Sequence, residues 1–304
     1  MSMHSLLQQM AVLFIVLILG YILNRVKALP PTANQVLSKV LLNVCMPATI
    51  LGSIMGKEIT LSGSTALIFA GITFLTYAIY FAVVWAVPRL LRSPRENIGV
   101  YRFMGIFGNV GFMGFAISEA VFGGAAAFHV TIVNVVFMLL NFTLGLMMLT
   151  GGKGKVDPRL FLNAPLVAGL VTVLLFIVRI PMPVVVMDTV TMLSRLTTPL
   201  GMLIIGSTLA TMPLKDVFND WRVYVMVAFK LLILPVAVWV VLRLLRVDPF
   251  LTGVSVLMAG MPVATNITVL STIYGGNEKL GSKSVFISTL LSVATIPLMV
   301  YLLM

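Results

Sequence analysis

The chain has 304 residues, of which 60% are hydrophobic and only 10% are charged. A soluble protein of this length carries roughly a quarter charged residues, so the composition excludes a soluble globular domain and indicates an integral membrane protein. The formal net charge of +11 does not indicate a nucleic-acid partner, because no basic cluster is joined to a soluble domain and membrane proteins collect basic residues in cytoplasmic loops.

Ten apolar segments follow one another along the chain, each near the length needed to cross about 30 Å of hydrocarbon. Their connections are short, and no soluble domain interrupts them. The sequence therefore predicts an all-α, multi-pass protein of the cell membrane. We place the ten transmembrane helices at 5–24, 34–55, 65–88, 99–121, 125–149, 160–179, 187–210, 221–245, 250–273 and 281–303.

A nine-residue motif occurs twice, 154 positions apart. Residues 84–92 read VWAVPRLLR and residues 238–246 read VWVVLRLLR, with seven of nine positions identical. Each copy leads into an apolar segment that helix-breaking residues interrupt, at 108–111 in the first half and at 260–262 in the second. Duplicated halves with broken segments at matching places are typical of secondary transporters, whose binding site lies where the halves meet.

The number of spans in each half predicts how the halves are oriented. Five spans is an odd number, so the second half must be inverted relative to the first. We expect repeats at 1–150 and 160–304, joined by a cytoplasmic linker at 151–159. Loops that this topology places in the cytoplasm carry thirteen Lys and Arg residues and the outer loops carry four, which predicts that both termini are extracytoplasmic.

Segments 4 and 9 are those in which a continuous helix is costly. Segment 4 carries four glycines around Asn109, each about 1 kcal/mol less favourable than Ala in a helix, and Pro262 removes a backbone donor from segment 9. Unwound backbone at membrane depth survives only where it is buried in protein or lines a cavity, and half-helix N-termini attract negative charge. The pattern predicts a small-anion site with these candidate residues: Gly108, Asn109, Gly111, Pro262, Thr265 and Asn266.

Several of these features have alternative interpretations. The glycines that recur every third residue over 105–114 could form a small-residue packing face. Lys230, deep in segment 8, could neutralise an anionic substrate, substitute for a coupling cation or snorkel to the headgroup region. Asn134 could line the cavity or form a structural hydrogen bond. Asn43 accompanies Pro47 in segment 2, where a kink for packing is the default.

The remaining ionisable residues bear on other classes of function. All acidic residues except Glu119 fall in loops or at the ends of spans, which argues against a sodium/proton antiporter because that chemistry needs buried carboxylates. His4 and His129 are the only histidines and Cys45 is the only cysteine, too few for a haem pair or a typical zinc site. No nucleophile–base arrangement is present either, so we expect no enzyme activity, no metal and no cofactor.

Three short motifs mark the two breaks and segment 2. They read Gly-Asn-Val-Gly-Phe-Met-Gly at 108–114, Met-Pro-Val-Ala-Thr-Asn at 261–266 and Leu-Asn-Val-Cys-Met-Pro at 42–47. Together with ten spans as a five-plus-five repeat, their order and spacing resemble the auxin efflux carrier family over nearly the whole chain. The bacterial branch is the most similar, because the central linker is short. One departure is Ala116, where many members have proline.

The resemblance implies a fold like that of the bile acid/sodium symporters, often assembled as a homodimer. Helices 1, 2, 6 and 7 would form a scaffold, helices 3–5 and 8–10 would form a transport domain, and broken helices 4 and 9 would cross at its centre. Asn109 would be the polar residue at the first break, with Pro262 and Asn266 at the second, and Asn43 lies in the matching motif of segment 2. Family substrates are small organic anions such as malate, malonate or auxin.

These observations lead to one expected function and one alternative. We expect a secondary active transporter that is surrounded by membrane lipid and moves a small carboxylate by an elevator-type, alternating-access mechanism. The alternative is a sodium/proton antiporter or a sodium-coupled symporter on the same fold.

Overall fold

The computed structural model of the protein describes residues 3–52, 63–123, 126–150, 164–178, 182–211 and 213–303. Within these ranges the chain forms helices and turns, with one isolated antiparallel bridge. The all-α class that the sequence predicts is therefore confirmed for the described residues. The expected linker at 151–159 lies outside them, as do the side chains of Ala116 and Glu119.

We number the helices in chain order and use a and b for the two pieces of a broken helix. In the first half they are α1 (Met3–Arg25), α2 (31–52), α3 (Gly63–Val84), α4a (Ile98–Ile106), α4b (Phe115–Phe122) and α5 (126–149). In the second half they are α6 (Ala164–Val178), α7 (Val184–Ala210), α8 (Trp221–Leu244), α9a (Pro249–Ala259), α9b (Asn266–Tyr274) and α10 (Glu278–Leu303).

By length and composition, six helices in the described part of the chain are able to cross a membrane: α2, α3, α5, α7, α8 and α10. α4 and α9 are divided into pieces too short to span on their own, as the glycines and Pro262 predict. The count of ten spans and the inverted repeat stay predictions.

Two of the long helices contain a π-helical turn just before a proline. In α2 the turn covers Leu41–Cys45 and precedes Pro47, and in α8 it covers Phe229–Ile233 and precedes Pro235. A proline inside a helix has no N–H and its ring crowds the carbonyl four residues earlier, and the wider turn accommodates both effects. The helices therefore continue past their prolines. The π-helical turn in α8 contains Lys230.

α1, α2, α6 and α7 pack against one another. α1 runs along α7, and α2 contacts both α6 and α7. The α1–α7 contact brings backbone against backbone, because a side chain on Gly206 would collide with the Leu17 carbonyl oxygen and one on Gly20 with that of Leu203. Small residues allow such close approach of helices in a membrane.

The other helices form a second packed group. α3 contacts α4a and α5, α8 contacts α9a, and α9b contacts α10. The two groups meet where α7 contacts α10, α6 contacts α5, and α2 contacts α9b. The candidate functional site lies at this junction.

Candidate functional site

The breaks in α4 and α9 cross each other as extended backbone. Gly108 and Val263 form the isolated antiparallel bridge. The N–H of Asn109 donates to the Pro262 carbonyl at 2.7 Å, and the N–H of Ala264 donates to the Phe107 carbonyl at 3.1 Å. Because lipid offers no hydrogen bonds, backbone groups released by an unwound helix must be satisfied within the protein. Each break therefore satisfies some of the backbone hydrogen-bonding groups of the other.

Two half-helices begin next to this crossing. α9b starts at Asn266, three residues after the bridge residue Val263. On the other side a π-helical turn, Val110–Gly114, leads into α4b, with the Gly114 N–H donating to the Asn109 carbonyl at 3.1 Å. Helix N-termini carry a partial positive charge and unpaired N–H groups. Two such ends therefore meet at one place inside the protein.

A cavity of about 30 Å³ lies where these N-termini meet α2, α5 and α7. The Asn266 side chain is buried there, and its Oδ1 has no hydrogen-bond partner among the described residues. An amide side chain presents both a donor and an acceptor, and turning it exchanges the two. The polar lining consists of Thr49, Asn109, Thr197, Thr265 and Asn266, and the rest is Gly111, Ala264, Met46, Phe137 and Met138.

The structure brings six of the nine candidate residues to the crossing. Asn109, Gly111, Thr265 and Asn266 line the cavity. Gly108 and Pro262 form the crossing itself through the bridge and the hydrogen bond to Asn109. The binding roles of all six stay predictions.

Gly108 is a close-packed position at which a side chain would crowd its neighbours. A Cβ atom there would lie 3.1 Å from Lys230 Nζ and 3.2 Å from the Met261 carbonyl oxygen. The outer glycines of the same stripe serve packing instead, because a Cβ on Gly105 would lie 2.6 Å from a Val84 methyl group and one on Gly114 would lie 2.9 Å from Met258 Sδ. Gly105 and Gly114, at the ends of the stripe, thus act as packing residues, whereas the helix break lies between them.

Asn134, Lys230 and Asn43 are not among the cavity-lining residues. Asn134 is buried beside Gly111, and its Oδ1 lies 3.4 Å from where a Cβ on that glycine would be. It therefore contacts a lining residue of the cavity without lining the cavity itself. Asn43 lies on the exposed side of α2, where its Nδ2 donates to the Lys39 carbonyl at 2.9 Å.

Lys230 lies against the crossing at Gly108 and is not among the residues that line the cavity. It is only 1% exposed, so its ammonium does not reach a headgroup region. Its Nζ donates to the Ile106 carbonyl at the end of α4a, at 3.3 Å, and lies 4.9 Å from the centre of the Tyr80 ring. A cation at a helix C-terminus interacts favourably with the helix dipole. The remaining interpretations, substrate neutralisation and replacement of a cation, stay open.

Sequence reasoning missed two polar residues of the cavity, Thr49 and Thr197. Their Oγ1 atoms are 2.8 Å apart and join α2 to α7. Thr49 follows Pro47 by two residues and Thr197 precedes Pro199 by two. A hydroxyl beside a proline in matching segments of the two halves is the pattern that would have found them.

Comparison with known proteins identifies the family. The profile of the membrane transport protein family matches residues 5–159 and 153–300. The "Putative malonate transporter" of Rhizobium meliloti is 27% identical over 95% of this chain and 93% of its own length. An uncharacterized transporter of Methanocaldococcus jannaschii is 24% identical over 95% of this chain and 97% of its own length. One of Methanothermobacter thermautotrophicus is 28% identical over 93% of this chain and 94% of its own length. The chain therefore belongs to the membrane transport protein family, the auxin efflux carrier family that its motifs resemble, and is a membrane transporter.

Proposed function

We propose that the protein is a secondary active transporter for a small dicarboxylate of the malonate type. The observation that carries this proposal is the convergence of the α4b and α9b N-termini on one cavity lined by amide and hydroxyl side chains. N–H groups and positive helix ends attract a carboxylate, and the side chains of Asn109 and Asn266 add donors. The name of the Rhizobium meliloti relative supports the same substrate class.

Charge around the crossing favours an anion over a cation. The described residues that line the cavity include no carboxylate, and the amino group of Lys230, which carries a positive charge when it is protonated, lies against the crossing at Gly108 and the Ile106 carbonyl. A positive charge held in a medium of low dielectric acts over a longer distance than it does in water. Sodium/proton antiport needs buried acids, so this arrangement supports anion transport over the cation alternative.

The size of the cavity supports a moving site. A volume of about 30 Å³ accommodates one or two water molecules and is too small for a three-carbon dicarboxylate. Binding therefore requires the wall formed by α2 and α7 to separate from the crossing. We propose that α1, α2, α6 and α7 form the scaffold and that the other helices carry the site past it, as in an elevator.

The bonding at the crossing supports an inverted repeat. Each break donates one hydrogen bond to the other and accepts one from it. Phe107 accepts from Ala264, and Pro262 accepts from Asn109. Phe107 and Pro262 are 155 positions apart, as are Asn109 and Ala264, within one residue of the spacing of the duplicated motif. A two-fold axis through the crossing produces this pairing, and we propose ten spans arranged about it.

The test is a ligand panel on the purified protein. We expect malonate or malate to raise the melting temperature and to be taken up by proteoliposomes, and the neutral analogue malonamide to do neither. Each measurement is repeated with sodium replaced by choline. A response to sodium without a carboxylate, or equal responses to malonate and malonamide, would overturn the proposal.

A further inference from the structure

A second and larger cavity, of about 850 Å³, opens beside α4a and shares no lining residue with the cavity at the crossing. It lies between the end of α3, the start of α4a and the last turns of α5. Its wall combines arginines with apolar side chains, among them Trp85, Arg89, Arg95, Arg102, Leu144 and Met147. The described residues of this wall include no carboxylate, so the cavity holds positive charge that its own lining does not neutralise.

Arg102 is the residue that points to a ligand. It is only 8% exposed, its guanidinium carbon lies 3.6 Å from the centre of the Trp85 ring, and its Nε donates to the Trp85 carbonyl at 3.0 Å. Its Nη2 is buried and has no hydrogen-bond partner among the described residues, and the part of the side chain that stays accessible lines the cavity. A buried charged donor without an acceptor is costly, and a guanidinium fixed in one plane is suited to a phosphate oxygen.

The cavity also has an apolar side. Leu144 and Met147 on α5 are exposed next to it, as is Trp85. These side chains lie in helices that are long and apolar enough to cross a membrane, so we expect their exposed faces to contact acyl chains. Tryptophan is typical of the level at which hydrocarbon gives way to headgroups. A ligand that fits both sides has an anionic head and an apolar tail, and a volume in this range is typical of ligand pockets.

We propose that this cavity binds the phosphodiester headgroup of an anionic phospholipid. Arg102 donates to the phosphate from the inner end of the cavity, while the exposed Arg89 and Arg95 contribute charge at its mouth. The acyl chains lie along Leu144 and Met147. Basic pockets between transmembrane helices are recognised sites for anionic headgroups, and the expected topology places this one in the cytoplasmic leaflet.

Among the described residues of the second half, the position that corresponds to Arg102 holds no arginine. At the spacing of the duplicated motif, Trp85 and Arg89 correspond to Trp239 and Arg243, but Arg102 corresponds to the buried Val256. Arg243 lies 5.7 Å from the Trp239 ring on an exposed surface. The Trp and Arg of the duplicated motif are thus common to both halves, whereas among the described residues the buried guanidinium beside the Trp ring is found in the first half. Arg243 provides a matched control.

The experiment measures lipid binding to the purified protein by native mass spectrometry and by thermal shift. The probes are phosphatidylglycerol, phosphatidylcholine, sn-glycerol 3-phosphate and inorganic phosphate. We expect phosphatidylglycerol to bind and raise the melting temperature of the wild type, and the other three to have little effect. Arg102→Gln should weaken phosphatidylglycerol binding about tenfold or more, because it removes a hydrogen bond to a charged group, while Arg243→Gln should bind as the wild type does.

Two outcomes would overturn the proposal. If Arg102→Gln and Arg243→Gln retain phosphatidylglycerol equally, the cavity is not the lipid site. If glycerol phosphate or inorganic phosphate stabilises the wild type as much as the lipid does, the cavity binds free anions. Should Arg102→Gln fail to fold, Arg89→Gln combined with Arg95→Gln changes only exposed side chains, and unchanged binding in that variant would count equally against the site.

Discussion

The backbone N–H of Asn109 donates to the carbonyl of Pro262 across the crossing, at 2.7 Å. This bond joins the two halves of the chain at the residues where their helices are interrupted. It fixes the start of α4b relative to the start of α9b, so that both half-helix N-termini face the same cavity. The prolyl residue has no donor of its own, but its carbonyl serves as the acceptor that the other break requires. The geometry of the site therefore depends on how closely the two strands approach.

Gly108→Ala tests this close approach. The added methyl group would lie 3.1 Å from Lys230 Nζ and 3.2 Å from the Met261 carbonyl oxygen, and overpacking of this kind costs about 1–3 kcal/mol. We expect a lower melting temperature and loss of stabilisation by malonate. Gly71→Ala is the control, because nothing lies within 4 Å of a Cβ there and alanine favours the helix. Equal behaviour of the two variants would contradict the close-packed crossing.

Asn266→Ala should remove substrate binding while leaving the protein folded. Asn266 lines the cavity, and its Oδ1 has no partner among the described residues, so truncation breaks no internal bond at that atom. We expect the malonate affinity to fall about tenfold or more, as for a lost hydrogen bond to a charged ligand. Asn43→Ala should bind malonate normally because Asn43 lies on the exposed side of α2. Titration calorimetry compares the two, and the reverse ranking would show that the cavity is wrongly placed.

The sequence predicts the breaks well because their causes are local. Glycines around Asn109 and the proline at 262 disfavour helix wherever they occur, and the duplicated motif shows that the two breaks correspond. The structure confirms both interruptions, and it places Asn109 and Asn266 at one cavity.

The sequence does not show which face of a helix a residue occupies. Asn43 is a candidate through its motif, and the structure places its side chain on the exposed side of α2, while its role in binding stays a prediction. Thr49, six residues later, lines the cavity and bonds to Thr197 of the other half. The π-helical turn at Leu41–Cys45 shifts the face that later residues present, and the 3.6-residue periodicity of a regular helix does not include that shift.

Lys230→Met separates the charge of Lys230 from its packing. The side chain is buried, and replacing a buried charged group by an apolar one of similar volume is often neutral or stabilising. We therefore expect a melting temperature no lower than that of the wild type, together with a malonate affinity reduced about tenfold. Lys230→Arg provides the comparison that keeps the charge. If Lys230→Met unfolds the protein or binds malonate normally, the lysine serves structure and not the anion.

The final prediction concerns movement between the two groups of helices. In a Cys45→Ser background, which removes the chain's only cysteine, Thr49→Cys with Thr265→Cys links α2 to the start of α9b across the cavity that both line. Thr49→Cys with Thr197→Cys links α2 to α7 within the expected scaffold, where the two hydroxyls are 2.8 Å apart.

The two cysteines of each pair are joined by a short bifunctional thiol reagent that a reductant cleaves. In the Thr49→Cys/Thr265→Cys variant we expect the linkage to stop malonate uptake and its reduction to restore uptake. In the second pair the rate before and after reduction should be the same, because both residues stay on one side of the sliding surface. Each pair serves as its own reference, so a weakened binding site does not affect the comparison. Uptake that persists through the linkage from α2 to α9b would mean that the site does not move past α2.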